Sequence, residues 1–188
     1  MKKYIFTILI TLFAIVTTTA QQTDVEKYGY KGKVKSVIKT KCDYTDIFGE
    51  YVKENCFTSD LYKYDQNGNK IEWSKYSDGT LEWKYLYKYD QNGNKIEESK
   101  YNSVGTLDEK NLYKYDQNGN KIEWSKYSDG TLDWKYLYKY DQNGNNIEAS
   151  SSNLDGTLYW KSLYKYDQNG NKIELSSCNS DGTLDEKN

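Results

Sequence analysis

Asp65, Asn67 and Asn69 stand at alternate positions in Asp-Gln-Asn-Gly-Asn, the spacing with which oxygen ligands open a calcium-binding loop. The same string returns at Asp90, Asp116, Asp141 and Asp167. A complete EF-hand-type loop needs Gly at its sixth position and a bidentate acid at its twelfth, where this chain has Lys70 and Tyr76. The string therefore reads as an Asx-rich hairpin turn, and no metal ligand set is expected. A second carboxylate series, Glu72, Glu97, Glu123, Glu148 and Glu174, recurs with the repeat. Paired carboxylates can hydrolyse glycosides, but these fall beside lysines on a charged strand face, the usual setting of solvated side chains. The chain has no His, so neither a Ser/His/Asp nor a Cys/His nucleophile can be assembled. No catalytic residue, cofactor or enzymatic activity is expected.

Aromatic side chains are what remains with binding potential. There are 21 Tyr and 5 Trp, the latter at Trp73, Trp83, Trp124, Trp134 and Trp160. Their flat faces suit sugar rings or another protein, and these five are the candidate ligand-binding residues. They equally suit the core of a protein short of Leu and Val, and binding requires that some of them stay exposed. With 29% charged residues and a mean hydropathy of -1.00, the composition would otherwise suggest disorder, which is poor in aromatics.

Charge narrows the partners. Every basic residue is Lys, and Arg, the usual bidentate reader of phosphate and guanine, is absent. Lys2 and Lys3 precede an apolar stretch from Ile5 to Val16, and the small residues Thr18 and Ala20 mark a signal-peptidase site before Gln21. Cleavage leaves 24 basic against 28 acidic residues, a net charge of -4, so neither nucleic acid nor an anionic membrane surface is an expected partner. The apolar run is shorter than the ~20 residues that cross a bilayer, and no second one follows. The expected location is secreted, periplasmic or on the cell surface, with no membrane span after cleavage.

The elements that position the aromatics follow from the repeat. The five Asp-Gln-Asn-Gly-Asn strings are spaced 25, 26, 25 and 26 residues apart, a 51-residue super-repeat. Tyr64 to Lys88 matches Tyr115 to Lys139 at every position except Glu82 against Asp133. Each unit holds an Asn-Gly and an Asp-Gly turn signal, as in Asn67-Gly68 and Asp78-Gly79, or a one-residue-longer version such as Asn102-Ser103-Val104-Gly105. Between them the period is two: Leu81, Trp83, Tyr85, Tyr87 and Tyr89 form one face, and Glu82, Lys84, Leu86 and Lys88 the other. The fold class is all-β, an antiparallel meander of tandem hairpins with roughly 11 strands. Residues 1–20 are the signal peptide, 21–60 a non-repeat hairpin and 61–188 the repeat array.

Loop parity sets the expected register. A two-residue Asn67-Gly68 loop puts Ile71 opposite Tyr64 and Trp73 opposite Tyr62. A three-residue Ser77-Asp78-Gly79 loop then sets Ile71 against Tyr85, Trp73 against Trp83 and, in the next super-repeat, Trp124 against Trp134. A four-residue loop at Asn102 to Gly105 keeps one aromatic face but places Glu98 opposite Glu109. Cys42 and Cys56 lie equally far from Gly49 and are expected to face each other and form a disulfide. Cys178 fills the slot of Tyr76, Tyr101 and Tyr127 and reads as drift.

At strings such as Leu61-Tyr62-Lys63-Tyr64-Asp65-Gln66-Asn67-Gly68-Asn69 the chain resembles the YD or RHS repeat family, over Leu61 to Asn188. Gly32-Lys33-Val34-Lys35-Ser36-Val37 is similar to the start of small exported YD-repeat proteins of the Bacteroidetes type. Asn69 stands where the family commonly has Arg, a departure from the pattern of true RHS toxins. The resemblance implies an open or partly wound RHS-like sheet and a sugar-binding label; large members close a shell around a toxin domain, for which this chain is short. The array stops mid-strand after Gly182 to Asn188, a copy of Gly105 to Asn111. An unpaired edge invites pairing. The expected function is a non-catalytic module that binds a glycan or protein at the cell envelope. The alternative is a structural protein self-associating through its sheet edges, or a remnant of a larger RHS-type protein.

Overall fold

A computed structural model describes residues 23–30, 33–181 and 183–187; the segment 1–20, expected to be a signal peptide, lies outside the described residues. Asp24–Lys27 form a single helical turn, α1. It is started by a capping box in which Thr23 Oγ1 accepts the Glu26 N–H and the Glu26 carboxylate accepts the Thr23 N–H at 3.1 Å. Strands follow: β1 (Ser36–Ile47), β2 (Glu50–Tyr64), β3 (Lys70–Ser77), β4 (Thr80–Tyr89), β5 (Lys95–Asn102) and β6 (Leu107–Tyr115). Then come β7 (Lys121–Ser128), β8 (Thr131–Tyr140), β9 (Asn146–Ser152), β10 (Leu158–Tyr166), β11 (Lys172–Cys178) and β12 (Leu184–Lys187).

All twelve strands belong to one sheet in strict sequence order, every neighbour antiparallel. This is the all-β meander expected from the repeat. The sheet is a single layer, and extensive packing joins only strands adjacent in sequence. Among the described residues, Tyr64 and Ala149 are the only buried apolar side chains, so cross-strand contacts stand in for a core.

Both turn types form where Gly permits a left-handed backbone. At the Asn-Gly end, Gly68 (φ 83°) donates to Asp65 O at 3.2 Å, and Asp65 N–H donates to Asn69 O at 2.9 Å. Asp65 Oδ1 also accepts the Asn67 and Asn69 N–H groups at 2.9 Å. The carboxylate is thus spent on the turn, and the arrangement repeats at Asp90, Asp116, Asp141 and Asp167.

The aromatic face survives, but through a different register. Asp78 (φ 46°) and Gly79 (φ 79°) make a two-residue loop with Ser77 opposite Thr80, where a three-residue loop was expected. Parity is restored by a bulge at Glu82, so Trp73 faces Tyr85 and Lys75 faces Trp83. Trp124 likewise faces Tyr136 instead of Trp134. A bulge recurs three residues after the turn glycine, at Ile71, Ile96, Ile122, Ile147 and Ile173 on the Asn-Gly side. Ile71 therefore drops out of pairing, and Lys70 takes the expected place opposite Tyr64. In the 26-residue units Asn102 N–H donates to Thr106 O, leaving a three-residue loop and a bulge at Asp108. Glu98 then faces Asn111 and Glu109 faces Lys100, which removes the like-charge pair.

The first hairpin is an arm. β3 meets β2 only over Asp60–Tyr64, so the rest of β2 pairs with β1 alone. Phe48 and Gly49 form its tip, and Cys42 lies directly opposite Cys56, disulfide-bonded with a Cα–Cα distance of 4.0 Å.

Candidate binding face

The sheet's two faces are chemically distinct. On the charged face the repeated glutamates pair with lysines, and three are clasped from both flanking strands: Glu97 by Lys88 (3.1 Å) and Lys110 (3.5 Å), Glu123 by Lys114 (3.2 Å) and Lys135 (3.1 Å), and Glu148 by Lys139 and Lys161 (both 3.1 Å). Two residues on, the buried hydroxyls of Ser74 and Ser99 donate to Glu72 and Glu97 at 3.0 and 3.1 Å. Burial pushes the Glu97 carboxyl up, but the Lys88 hydrogen bond, the Lys110 charge and the Ser99 hydroxyl outweigh it and leave it below the ordinary carboxylate range. Such a carboxylate is ionised and saturated with donors, a structural role.

The aromatic face holds all five tryptophans, four of them in two clusters. In the first, Trp73 meets Trp83 edge-on at 4.7 Å and stacks with Tyr62 at 5.9 Å, while Trp83 lies edge-on to Tyr85 at 5.4 Å. In the second, Tyr136 stacks on Trp124 at 5.0 Å and meets Trp160 at 6.1 Å. Two indole N–H groups have partners, Trp73 donating to Asp60 (3.1 Å) and Trp124 to buried Asn111 (2.8 Å). Glu98, Lys100, Glu109, Asn111 and Lys126 form a polar strip between the clusters, with ion pairs joining Lys95 to Glu98 and Lys126 to Glu109.

Trp134 stands apart. No ring contact ties it to Trp124 or Tyr136 among the described residues, and it is 47% exposed. Trp83, in an almost identical local sequence, is folded onto Trp73. The difference lies in the neighbouring strand: β5 presents Glu98 and Lys100, whereas β9 presents Ala149 and Ser151 at the matching positions. Ser151 floors a cleft of about 590 Å³ walled by Trp134 and Tyr159, with Ser152, Asn153 and Asp155 at its rim. The corresponding cleft of the first super-repeat, about 390 Å³, is lined by Trp73, Trp83, Tyr85, Tyr87, Glu98 and Lys100.

Tyrosines supply a second, unforeseen system along the Asn-Gly end. The hydroxyls of Tyr89, Tyr115, Tyr140 and Tyr166 donate to the carbonyls of Lys70, Lys95, Lys121 and Asn146 at 2.9, 2.9, 3.0 and 2.9 Å, tying each turn to the one before. Asp24 of α1 joins this ladder, accepting the Lys70 N–H at 2.8 Å and lying 3.2 Å from Tyr89 Oη. Lys70, Lys95, Lys121 and Lys172 lay their ammonium groups over the rings of the same face. Burial pushes the Tyr64 phenol up to about 12, with help from Tyr30 and Asp24, and raises Tyr87 and Tyr113 further. The sequence signal for this ladder was the Lys before four of the five repeated Ile residues. It was unreadable without the bulge that turns Lys70 and Trp73 to one face.

The fold and face define a tandem-hairpin repeat protein built as a single-layer β-sheet. No protein-family model matches the sequence, and no curated protein is similar to it in sequence. Among solved structures the sheet is similar to the TcdB2-TccC3 complex, at 15% identity and a TM-score of 0.58 over 79% of this chain and 9% of that chain. It is also similar to that complex without its hypervariable C-terminal region, at 13% identity and a TM-score of 0.58 over 81% and 8%. A third match is the Photorhabdus luminescens Tc holotoxin pore, at 15% identity and a TM-score of 0.56 over 71% and 7%. The chain thus spans less than a tenth of these structures' length, and the likeness shows an RHS-like fold.

Proposed function

We propose that this repeat protein is an exported, non-catalytic binding module of the cell envelope that takes a glycan on its aromatic face. The observation that carries the reading is Trp134, an exposed indole over a floor of small residues and hydroxyls. An aromatic plane receives the C–H face of a pyranose, while Ser151, Ser152, Asn153 and Asp155 offer donors and acceptors for its hydroxyls. On the opposite face Glu97 and Glu123 are held ionised by lysines, which disfavours them as proton donors for glycoside cleavage.

The test is a titration of the protein with a panel of soluble envelope and host polysaccharides, read by tryptophan fluorescence. A binder in the panel should lose about tenfold or more in affinity on Trp134→Ala, the range of one buried aromatic contact. Absence of binding across the panel would overturn the glycan reading. A second reading, self-association, rests on the outer edge of β1, which among the described residues pairs with β2 alone, a row of backbone groups that another strand can join. A strictly monomeric sedimentation profile from micromolar to millimolar concentration would exclude it.

A further inference from the structure

The residue after each Asn-Gly-Asn turn occupies one structural slot, opposite the tyrosine that opens the turn. Lys70 pairs with Tyr64, Lys95 with Tyr89, Lys121 with Tyr115, Asn146 with Tyr140 and Lys172 with Tyr166. The lysines of this slot lie between rings of successive units. Lys70 Nζ is 5.5 Å from the Tyr28 centroid and 5.3 Å from Tyr87. Lys95 Nζ is 5.6 Å from Tyr87 and 5.3 Å from Tyr113. Lys121 Nζ is 5.8 Å from Tyr113 and 5.3 Å from Tyr138.

Tyr87 and Tyr113 therefore each receive a cation from both sides. Tyr138 receives one from Lys121, and Tyr164 one from Lys172 at 4.4 Å. On β9, the strand between these two tyrosines, the slot that holds Lys in the other units holds Asn146, a shorter and uncharged side chain. The backbone there is held as in the other units, since Tyr166 Oη donates to Asn146 O at 2.9 Å just as Tyr115 does to Lys95 O. The Tyr138 phenol is raised first by burial and then by Tyr136, Tyr140 and Tyr164, which places the two ring systems within electrostatic reach. The fold thus displays, in three slots, the ligand that a pair of its tyrosines accepts, and in one slot it leaves the pair without that side chain.

We infer that the slot formed by Tyr138, Tyr164 and Asn146 binds an alkylammonium group brought by a ligand. The rings supply their negative faces, and the Asn146 carboxamide oxygen can accept an N–H from a primary ammonium. The site lies at the Asn-Gly end of the face, away from the Asp-Gly end where Trp134 and Tyr159 form their cleft.

The experiment is NMR observation of the tyrosine ring protons while the full chain is titrated with butylammonium, tetramethylammonium and the neutral isostere 3,3-dimethylbutanol. Two cation–π contacts give a dissociation constant on the order of millimolar to tens of millimolar for an isolated cation. Saturable shifts are expected at Tyr138 and Tyr164 and not at Tyr87. Asn146→Lys, which restores the residue of the other units and should fold at least as well, is expected to weaken binding more than tenfold. Lys121→Asn should create a second site between Tyr113 and Tyr138. The stronger of the two cations identifies the source as a primary or an N-methylated amine. Shifts of equal size with the neutral isostere, shifts unchanged by Asn146→Lys, or no saturable shift up to about 100 mM would each overturn the proposal. Trp134→Ala leaves this readout in place, so failure of the glycan reading and failure of this one are separable.

Discussion

Breaking the Cys42–Cys56 bond should melt the arm and leave the sheet standing. The bond joins directly opposed residues 14 apart in sequence, and everything it encloses pairs only within the β1–β2 hairpin. An isolated two-stranded hairpin is at best marginally stable in water. Closing a loop of about 15 residues removes unfolded-state entropy worth roughly 3 kcal/mol. That quantity is what the bond adds to the arm's stability against local opening, since β2 meets a second partner strand only from Asp60 onward. A Cys42→Ser, Cys56→Ser double variant should therefore raise amide exchange between Asp43 and Asn55 by on the order of a hundredfold. All five tryptophans lie at or beyond Trp73, so the urea midpoint read by their fluorescence should stay within experimental error of the parent. Two results would refute the reasoning: unchanged exchange in the arm, or a loss of the tryptophan midpoint as large as the local effect. The latter would mean that the arm and sheet unfold as one unit.

Tyr115→Phe removes the hydroxyl that donates to Lys95 O and should cost about 1 kcal/mol, measured by urea unfolding. An unchanged midpoint would show that the turn-to-turn tie is replaced by water. Gly119→Ala forces a β-carbon onto a residue at φ 83° and should cost about 1 kcal/mol or slightly more, although the space around it is open except for Asn94 Oδ1 at 3.9 Å. Stability should fall as pH climbs above about 10: the unfolded chain then releases phenolic protons that Tyr64, raised to about 12, still holds in the fold. At the acid end the order reverses. Glu97 and Glu123 sit below the ordinary carboxylate range, each raised by burial but lowered more by lysine hydrogen bonds, so their contribution is complete above about pH 5 and fades as pH drops. Urea midpoints that stay flat from pH 8 to 11, or from pH 6 to 3, would contradict these assignments.

The fold was legible because two turn signals per unit and a period of two leave few alternatives. The register was not. One extra residue in a loop and one extra residue in a strand restore face parity equally well, so the side-chain pattern cannot tell the three-residue loop at Ser77 from the bulge at Glu82. Two features did point to the observed solution. Asp-Gly is itself a two-residue turn signal, and the clash of Glu98 with Glu109 was a symptom of the wrong pairing. The tryptophans' common face was readable from spacing. Their exposure was not, because Trp83 and Trp134 share nearly the same local sequence and their surroundings differ on the next strand, with Glu98 and Lys100 beside one and Ala149 and Ser151 beside the other. The lysine–tyrosine ladder was hidden for the same reason as the register: Lys70 and Trp73 are three apart, and only a bulge between them puts both on one face.

The recurring bulge also bears on how such a chain changes over time. Each hairpin sets its own alignment within a few residues of its turn, and every backbone pairing joins strands adjacent in sequence. An unequal crossover between the nearly identical segments Tyr64–Lys88 and Tyr115–Lys139 would add or delete 51 residues and hand every surviving strand a partner of the kind it had before. No distant contact would have to be rebuilt, and no core resized. Copy number is therefore close to a neutral trait for folding, free to drift among strains, whereas a single-residue insertion inside a strand would be felt at once.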